Sequence, residues 1–217
     1  GADPGTLADL DVFVELHVEQ GRALEETSHP VGVASAIWPH GRWRMDFTGR
    51  ADHAGTTRLS DRSDPMLPFA HAVLAARALA EEHDARATVA KARIAPNGTN
   101  AIPSSVSAWL DARAADGAVL DAVVAGVREA AEKAAREHGV GHAMVNESLT
   151  PLVSFSHGLR DRLAAVVASR APDPRVPVLP TGAGHDAGVL AAHVPTAMLY
   201  VRNPTGVSHS PHEWARP

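Results

Sequence analysis

The chain has 217 residues, of which 45% are hydrophobic and 21% are charged, and its formal net charge at pH 7 is −5. This length can supply one large domain or two small ones, each with its own core. The negative charge and the lack of a Lys/Arg run argue against a nucleic-acid surface. The sequence has no cysteine, which excludes disulfides, thiolate zinc sites and Cys nucleophiles and suits a cytoplasmic protein. No apolar run approaches the ~20 residues of a membrane span, and the first residues do not resemble a signal peptide.

The first part of the chain is predicted to consist of strands. An apolar segment from Val12 to Val18 predicts a strand, which is followed by Gly21 and a polar stretch. Apolar residues then alternate with others over residues 31–49, with an interruption at Pro39. This pattern predicts a hairpin or a bulged strand pair.

The middle of the chain alternates between strands and long helices. In chain order it predicts a helix from Asp64-Pro65 to about His83, strands over 86–95 and 104–113, a helix from Asp116 to about His138, and a strand over 142–149. Pro at a first helical position and Asp at an N-cap are both favourable. The β-α-β-β-α-β order between residues 31 and 150 predicts an α+β ferredoxin-like sandwich.

The pattern changes to an α/β rhythm after the sandwich. It predicts, in order, a helix over 157–170, an extended piece over 172–180, a turn at 182–186, a short helix to Ala192 and an apolar strand over 195–201. Residues 1–30 and 151–217 are therefore expected to form parts of one α/β domain. Residues 31–150 are expected to form a second domain inserted between them.

Two motifs near opposite ends of the chain carry imidazoles. ELHVEQG at 15–21 places His17 on the first strand, and GVSHSPHE at 206–213 places His209 in a turn-rich loop. Neutral imidazole is the commonest zinc ligand, so the two ends would form half of a metal-hydrolase site if they met. Glu213 would then suit a carboxylate that orients an imidazole. A lone His on a strand is more often a satisfied core or edge residue, and this alternative stays open.

A second group of motifs lies on the predicted sandwich. DHAGTT at 52–57 offers His53 as a donor to a developing oxyanion, or equally forms a turn whose polar side chains satisfy the backbone. PNGTNAIP at 96–103 is typical of a turn. Arg113 follows an alternating strand, where it would clamp a substrate carboxylate or simply pair with Asp111.

GAGHDA at 182–187 combines small residues with a His-Asp pair at the start of a predicted helix. Small residues let the backbone approach a ligand closely, and a helix start favours an anion. The alternative is that Asp186 is only a favourable carboxylate in the first turn of a helix.

Taken together, these motifs resemble the group of N-carbamoyl-L-amino-acid amidohydrolases, allantoate amidohydrolases and β-ureidopropionases. This group belongs to the dinuclear-metal aminoacylase–carboxypeptidase superfamily. The matching pieces occur in the family's order and cover nearly the whole chain: ELHVEQG, GRADHAGTT, PNGTNAIP, LDAR, GAGHDA and GVSHSPHE.

The resemblance implies a metal-dependent hydrolysis of linear amide or ureido C–N bonds. It implies two divalent ions (Zn, Mn, Co or Ni), with His17 as a ligand of one and His209 as a ligand of the other. His53 would act catalytically by supporting the tetrahedral intermediate, and Arg113 would bind the substrate carboxylate. His53 and Asn100 would reach into the partner subunit's site of a homodimer formed through residues 31–150, which would also serve as a lid. The substrate contacts implied are Gln20, His53, Asn100, Arg113, Gly184 and His185.

The sequence also departs from the family's pattern. Relatives supply a further His, a metal-bridging Asp and a Glu-Glu pair ahead of ELHVEQG, whereas only fourteen residues precede Glu15 here. The expectation is therefore a fragment with an incomplete metal site and little activity alone. Two alternatives stay open: a non-catalytic dimerisation or ligand-binding module, and an aminoacylase or peptidase of the same superfamily.

Overall fold

The computed structural model of the chain describes residues 5–171 and 173–215. Residues 1–4 and 216–217 lie outside the described residues, as does Pro172, the first residue of the predicted extended piece over 172–180. The described chain divides into two compact units. The first unit holds the residues up to Trp38 and from Leu152 onward, and the second unit is Pro39–Pro151.

The elements alternate along the chain. The strands are β1 (Phe13–Val18), β2 (Val31–Ile37), β3 (His40–Thr48), β4 (Asp52–His53), β5 (Arg86–Ala95), β6 (Ala101–Ile102), β7 (Ser105–Arg113), β8 (Gly141–Thr150), β9 (Val153–Ser154), β10 (Val178–Thr181) and β11 (Thr196–Val201). The helices are α1 (Ala23–Glu26), α2 (Met66–Glu82), α3 (Gly117–Glu137), α4 (His157–Ala168) and α5 (Asp186–Leu190). Short 3-10 turns cover Thr6–Asp9 and Leu59–Asp61.

The first unit is built on a mixed sheet. Its strands lie in the order β1-β11-β2-β10, and β9 pairs with the end of β2. β1 runs parallel to β11, with His17 beside Tyr200. The carboxyl ends of these two strands therefore lie at the same edge of the sheet, which brings the segment after β1 close to the loop after β11. The core of this unit includes Leu24, Ile37, Phe155, Met198 and Tyr200.

The second unit is a two-layer α+β structure that lies wholly within the described residues. Its antiparallel sheet has the order β5-β7-β3-β8, and α2 and α3 pack against it. β7 shows the alternation that such a sheet requires, because Val106, Ala108, Leu110 and Ala112 are buried in the helix-facing core. Arg113 belongs to the opposite set of β7 side chains, which are only partly buried.

The mixed α/β character predicted from the sequence is confirmed. The two long helices begin where their start signals predict: Pro65 precedes α2, and the Asp116 carboxylate accepts the N–H of Val119 at 2.9 Å to cap α3. The predicted hairpin over residues 31–49 is wrong. β2 pairs with β10 and β11 in the first unit, whereas β3 pairs with β7 and β8 in the second. The chain thus leaves one sheet and enters another near Pro39.

Candidate active site

His17 lies near the end of β1, and its ring has a fixed orientation. Its Nδ1 donates a hydrogen bond to the main-chain oxygen of Val18 at 2.8 Å. The ring stands edge-on to His185, with 4.7 Å between the ring centroids and 73° between the planes. The ELHVEQG and GAGHDA motifs, far apart in sequence, therefore place their imidazoles side by side.

Glu15, also on β1, holds His185 in place. Its Oε1 lies 3.3 Å from His185 Nδ1, and its Oε2 accepts the N–H of Ala187 at 2.7 Å. The His185 side chain is 3% exposed and that of Glu15 is 16% exposed. Burial and the neighbouring His17 lower the pKa of His185 from its ordinary value, and the Glu15 carboxylate offsets them only in part. The lowered pKa favours the neutral form of His185, which offers a lone pair.

The donor set of this cluster fits a divalent metal ion. Glu15, His17 and His185 each offer a ligand atom, and these atoms lie within 4.8 Å of one another. His185 Nε2 is buried and has no hydrogen-bond partner among the described residues. Imidazole nitrogen and carboxylate oxygen together suit Zn, Mn, Co and Ni. His209 is not a member of this group among the residues that the structure describes.

His209 instead meets Gln20, the other polar residue of the first motif. Gln20 Nε2 lies 3.4 Å from His209 Nε2, so the amide donates to the ring. His209 has a positive φ of 54°, which is uncommon outside glycine. Glu213 accepts the main-chain N–H of His209 at 2.7 Å. The predicted carboxylate thus stabilises the backbone of the loop and not an imidazole ring.

Two buried polar residues fix the loops around this pair. Glu19 is 7% exposed, and its carboxylate accepts the N–H groups of Ala23 and Leu24 at 2.7 and 3.0 Å, at the start of α1. Asn203 is fully buried and donates to the main-chain oxygens of Glu19 and Val207 at 3.3 and 2.8 Å. Asn203 therefore joins the segment that carries Gln20 to the loop that carries His209.

His53 lies on the short, exposed strand β4 of the second unit, and its proton position follows from its neighbours. The main-chain N–H of Gly55 donates to His53 Nδ1 at 3.1 Å. In the neutral ring the proton must then sit on Nε2, which makes Nε2 a donor. A side chain at Gly55 would lie 3.3 Å from the ring, so glycine permits this close approach. The geometry suits the donation to an oxyanion that the sequence predicts.

Asn100 lies beside His53 in the same unit. The main-chain N–H of Ala54 donates to the Asn100 carbonyl at 2.9 Å, and β4 pairs with β6 so that His53 faces Ala101. Arg62 fixes the loop from its other side. Its guanidinium donates to the carbonyl oxygens of Ala54 and Thr57 at distances between 2.6 and 3.1 Å.

Arg113, at the end of β7, is paired with an acid as the simpler alternative predicts. It binds Asp111 in a bidentate manner, with Nε and one terminal nitrogen 2.7 and 3.1 Å from the two carboxylate oxygens. Burial raises the pKa of the Asp111 carboxyl, but the hydrogen bonds and charges of Arg113 and Arg42 outweigh it and hold the pKa below its usual range. The pair fixes the orientation of the Arg113 guanidinium.

The predicted site residues thus form small groups within each unit. His17 lies with His185, Gln20 lies with His209, and His53 lies with Asn100. Gly184 is an exposed loop residue directly before His185.

The roles of Glu15, Arg62 and Asn203 were not predicted. Glu15 stands in a quoted motif, and a carboxylate two residues from His17 on the same strand face was the available signal. Nothing in the local sequence marks Asn203 as buried.

Comparison with known proteins places the chain in a family. A family model described as peptidase family M20/M25/M40 matches residues 3–217. The chain belongs to this family. It is 36% identical over 222 aligned residues to an N-carbamoyl-L-amino acid amidohydrolase of Geobacillus stearothermophilus, covering 98% of the chain and 51% of that protein. It is 29% identical to an allantoate amidohydrolase of Escherichia coli K12, covering 94% of the chain and 50% of that protein.

Solved structures of M20 relatives agree with the fold. A hydantoinase/carbamoylase family amidase from Burkholderia vietnamiensis superposes with a TM-score of 0.89 at 31% identity, covering 96% of this chain and 50% of that one. The chain spans about half the length of the relatives it matches. Among the described residues, no helix is long and apolar enough to cross a membrane.

Proposed function

We propose that this chain is part of a metal-dependent amidohydrolase that cleaves linear amide or ureido C–N bonds. Its substrates would be N-carbamoyl-L-amino acids, allantoate or related ureido acids, which are the compounds named for its M20 relatives. The observation that carries the proposal is the cluster of His17, His185 and Glu15, which unites two separate family motifs in a donor set suited to a divalent ion.

The first unit would hold the metal. His17 would be a ligand of one divalent ion and His209 a ligand of a second. Two such ions, when bound, would polarise the scissile carbonyl and lower the pKa of a water molecule. Gln20 would contact the ureido or amide group, because its amide group lies next to His209. Gly184 and His185 would line the same pocket.

The second unit would supply polar groups to the substrate. His53 Nε2–H would donate to the developing oxyanion, since Nδ1 is already occupied by the N–H of Gly55. Asn100, on the adjoining segment, would contact the same substrate. Arg113 would bind the substrate carboxylate, and its bidentate pair with Asp111 would keep the guanidinium oriented for that contact. These roles follow from the family motifs and agree with the local geometry.

We further propose that the second unit serves as a lid and as the interface of a homodimer, so that His53 and Asn100 reach the partner's site. The lack of cysteine in the sequence suits a cytoplasmic location. The products of one turnover of an N-carbamoyl amino acid would be the amino acid, ammonia and CO2.

The test compares the 217-residue chain with the full-length product of its gene, each supplied with Zn²⁺, Mn²⁺ or Co²⁺. Ammonia release is measured with N-carbamoyl amino acids and allantoate, and amine release with N-acetyl amino acids and dipeptides. The full-length product is expected to hydrolyse the ureido substrates. The chain alone is expected to show little or no turnover, because it spans only about half the length of the amidohydrolases that it matches.

Each other outcome has a defined meaning. Enzyme-like turnover by the 217-residue chain would contradict the expected dependence on further residues. Hydrolysis of N-acetyl amino acids or dipeptides in preference to ureido acids would favour the aminoacylase or peptidase alternative. A folded, metal-loaded full-length protein that cleaves none of these substrates would favour a non-catalytic binding or dimerisation module.

A further inference from the structure

The sheet of the second unit has an open face, on the side away from α2 and α3, and a β-bulge reshapes it on strand β5. The pairing of β5 with β7 shifts between Val89 and Lys91, which leaves Ala90 without a partner residue. An extra residue of this kind reverses the side on which the following side chains lie. Val89 therefore packs against the helix-facing core, whereas Lys91 lies opposite Trp109 on the open face.

A second bulge, on strand β8, brings an acid to the same place. The pairing of β8 with β3 shifts, and Glu147 is the unpaired residue. Its carboxylate accepts the indole N–H of Trp109 at 3.0 Å and lies 3.5 Å from a terminal nitrogen of Arg44. Both unpaired residues, Ala90 and Glu147, line one pocket of about 350 Å³ that also includes Trp109. This volume suits a small molecule.

Two cations of β5 lie against the ring of Trp109. Lys91 Nζ is 4.1 Å from the ring centroid, and the guanidinium carbon of Arg93 is 5.5 Å from it. Cation–π attraction holds both side chains at this one ring. Within the described residues, neither cation has an acidic partner. Two like charges at one ring repel each other, and an anion beside them would relieve that repulsion.

The acids of the open face are already bound by other cations. Asp111 pairs with Arg113 at 2.7 Å and with Arg42 at 3.4 Å. Asp46 pairs with Arg44 at 2.9 Å, and this same arginine contacts the acid of the β8 bulge. The two cations of β5 are therefore left without neutralisation. The surface around the indole keeps an excess of positive charge, although the chain as a whole has a net charge of −5.

We propose that the pocket over Trp109 binds a small organic anion with carboxylate or phosphate groups, whose oxygen atoms contact Lys91 and Arg93. Arg42 lines the pocket from β3, on the other side of β7, and its side chain is 66% exposed, so a second anionic group of the ligand can reach it. Ammonium and guanidinium groups both form charge-assisted hydrogen bonds to such oxygens. The indole holds the cations in place before the ligand arrives, which lowers the cost of ordering them on binding.

The experiment uses the fact that the chain has two lysines, Lys91 and Lys133. Lys133 is exposed on α3 of the same unit and serves as an internal control. The 217-residue chain is acetylated with a trace of reagent in inorganic phosphate, in citrate or in chloride at equal ionic strength, and mass spectrometry gives the rate at each lysine. A bound anion keeps the ammonium charged and unreactive, so saturating phosphate or citrate should slow acetylation of Lys91 by about 10-fold and leave Lys133 unchanged.

Variants then test which groups bind the anion. Lys91→Gln and Arg93→Gln should each weaken the affinity measured by calorimetry about 10-fold, and Lys133→Gln should leave it unchanged. All three side chains are exposed, so the fold does not depend on them. Protection by citrate alone identifies a carboxylate ligand, and protection by phosphate alone identifies a phosphate ligand.

Three results would overturn the proposal. One is an acetylation rate of Lys91 that is the same in phosphate, citrate and chloride. Another is equal protection of Lys91 and Lys133, which would show general screening by the anion and no site. The last is wild-type affinity in Lys91→Gln, which would place any bound anion elsewhere on the chain.

Discussion

At the scale of single residues, Asn203 shows how a buried amide can position two loops at once. Its amide nitrogen donates to the carbonyls of Glu19 and Val207, and its oxygen accepts from the N–H and the hydroxyl of Thr205 at 3.2 and 2.9 Å. All four hydrogen-bonding positions of the side chain are therefore used. The loops that it joins carry Gln20 and His209.

Asn203→Asp is expected to destabilise the first unit. The change replaces a donor with an oxygen that faces two carbonyl oxygens, which should lower the opening free energy of β11 and the loop after it by about 1–3 kcal/mol. The matched control is Asn146→Asp, because Asn146 also donates to two carbonyls but is exposed. Its effect should stay within about 0.5 kcal/mol. Hydrogen exchange measured by mass spectrometry reports on the two units separately. Equal destabilisation by Asn203→Asp and Asn146→Asp would contradict the importance of burial at Asn203.

The sequence predicts which residue types carry the chemistry better than it predicts their contacts. His17, Gln20, His53 and His209 are recognisable because their motifs are local. The contact between Glu15 and Ala187 joins positions separated by 172 residues, and only the parallel pairing of β1 with β11 and the packing of α5 on β1 create it. A turn-forming sequence around Asn203 gives no sign of burial, since turns usually lie at the surface.

At the scale of elements, one side chain fixes the loop that directly follows His53. Arg62 donates to Ala54 and Thr57, whereas Arg58, in the same segment, contacts the Asp61 carboxylate with a side chain that is 81% exposed. A planar guanidinium can serve several carbonyl oxygens at once, which the point charge of lysine cannot. The orientation of His53 therefore depends on a residue nine positions later in the chain.

Arg62→Ala is expected to loosen this loop without unfolding the second unit. The loss of charge-assisted hydrogen bonds should speed amide exchange at Ala54 and Gly55 by about 10- to 100-fold. Arg62→Lys should recover only part of the protection. Arg58→Ala provides the control and should change exchange at the same amides by less than about twofold. Equal amide exchange rates at Ala54 and Gly55 in the Arg58 and Arg62 variants would show that the loop does not depend on the Arg62 hydrogen bonds.

Elements with strong local signals were predicted well, and pairing partners were not. The start of α3 follows from the Asp116 cap, and its end from Gly139, which has a positive φ of 61°. Alternation over residues 31–49 correctly indicates strands, but it specifies a buried face and not a neighbour. The prediction therefore paired β2 with the next strand, β3, whereas the structure pairs it with β10 and β11. The short helix α1 was not predicted, because the carboxylate that accepts its first N–H groups belongs to Glu19, four residues before the helix begins, and not to an N-cap residue.

At the scale of the whole molecule, the sheet of the second unit has two edges with different chemistry. β5 carries Lys91 and Arg93, and charged side chains of this kind discourage strand addition at an edge. β8, at the other edge, exposes Val145 by 47% and Leu149 by 56%. An edge strand with exposed apolar residues is the better candidate for pairing with a second copy of the chain.

The chain is therefore expected to form a homodimer through β8. Light scattering should give about twice the 22.7 kDa mass of the chain at micromolar concentration. Val145→Lys combined with Leu149→Lys should shift the mass to that of a monomer, because charge repulsion and lost apolar burial both oppose pairing. Val189→Lys alters an apolar residue of the first unit that is 69% exposed and should leave the mass unchanged. A monomeric wild-type chain would contradict the homodimer, and a dimeric double variant would assign the interface to another surface.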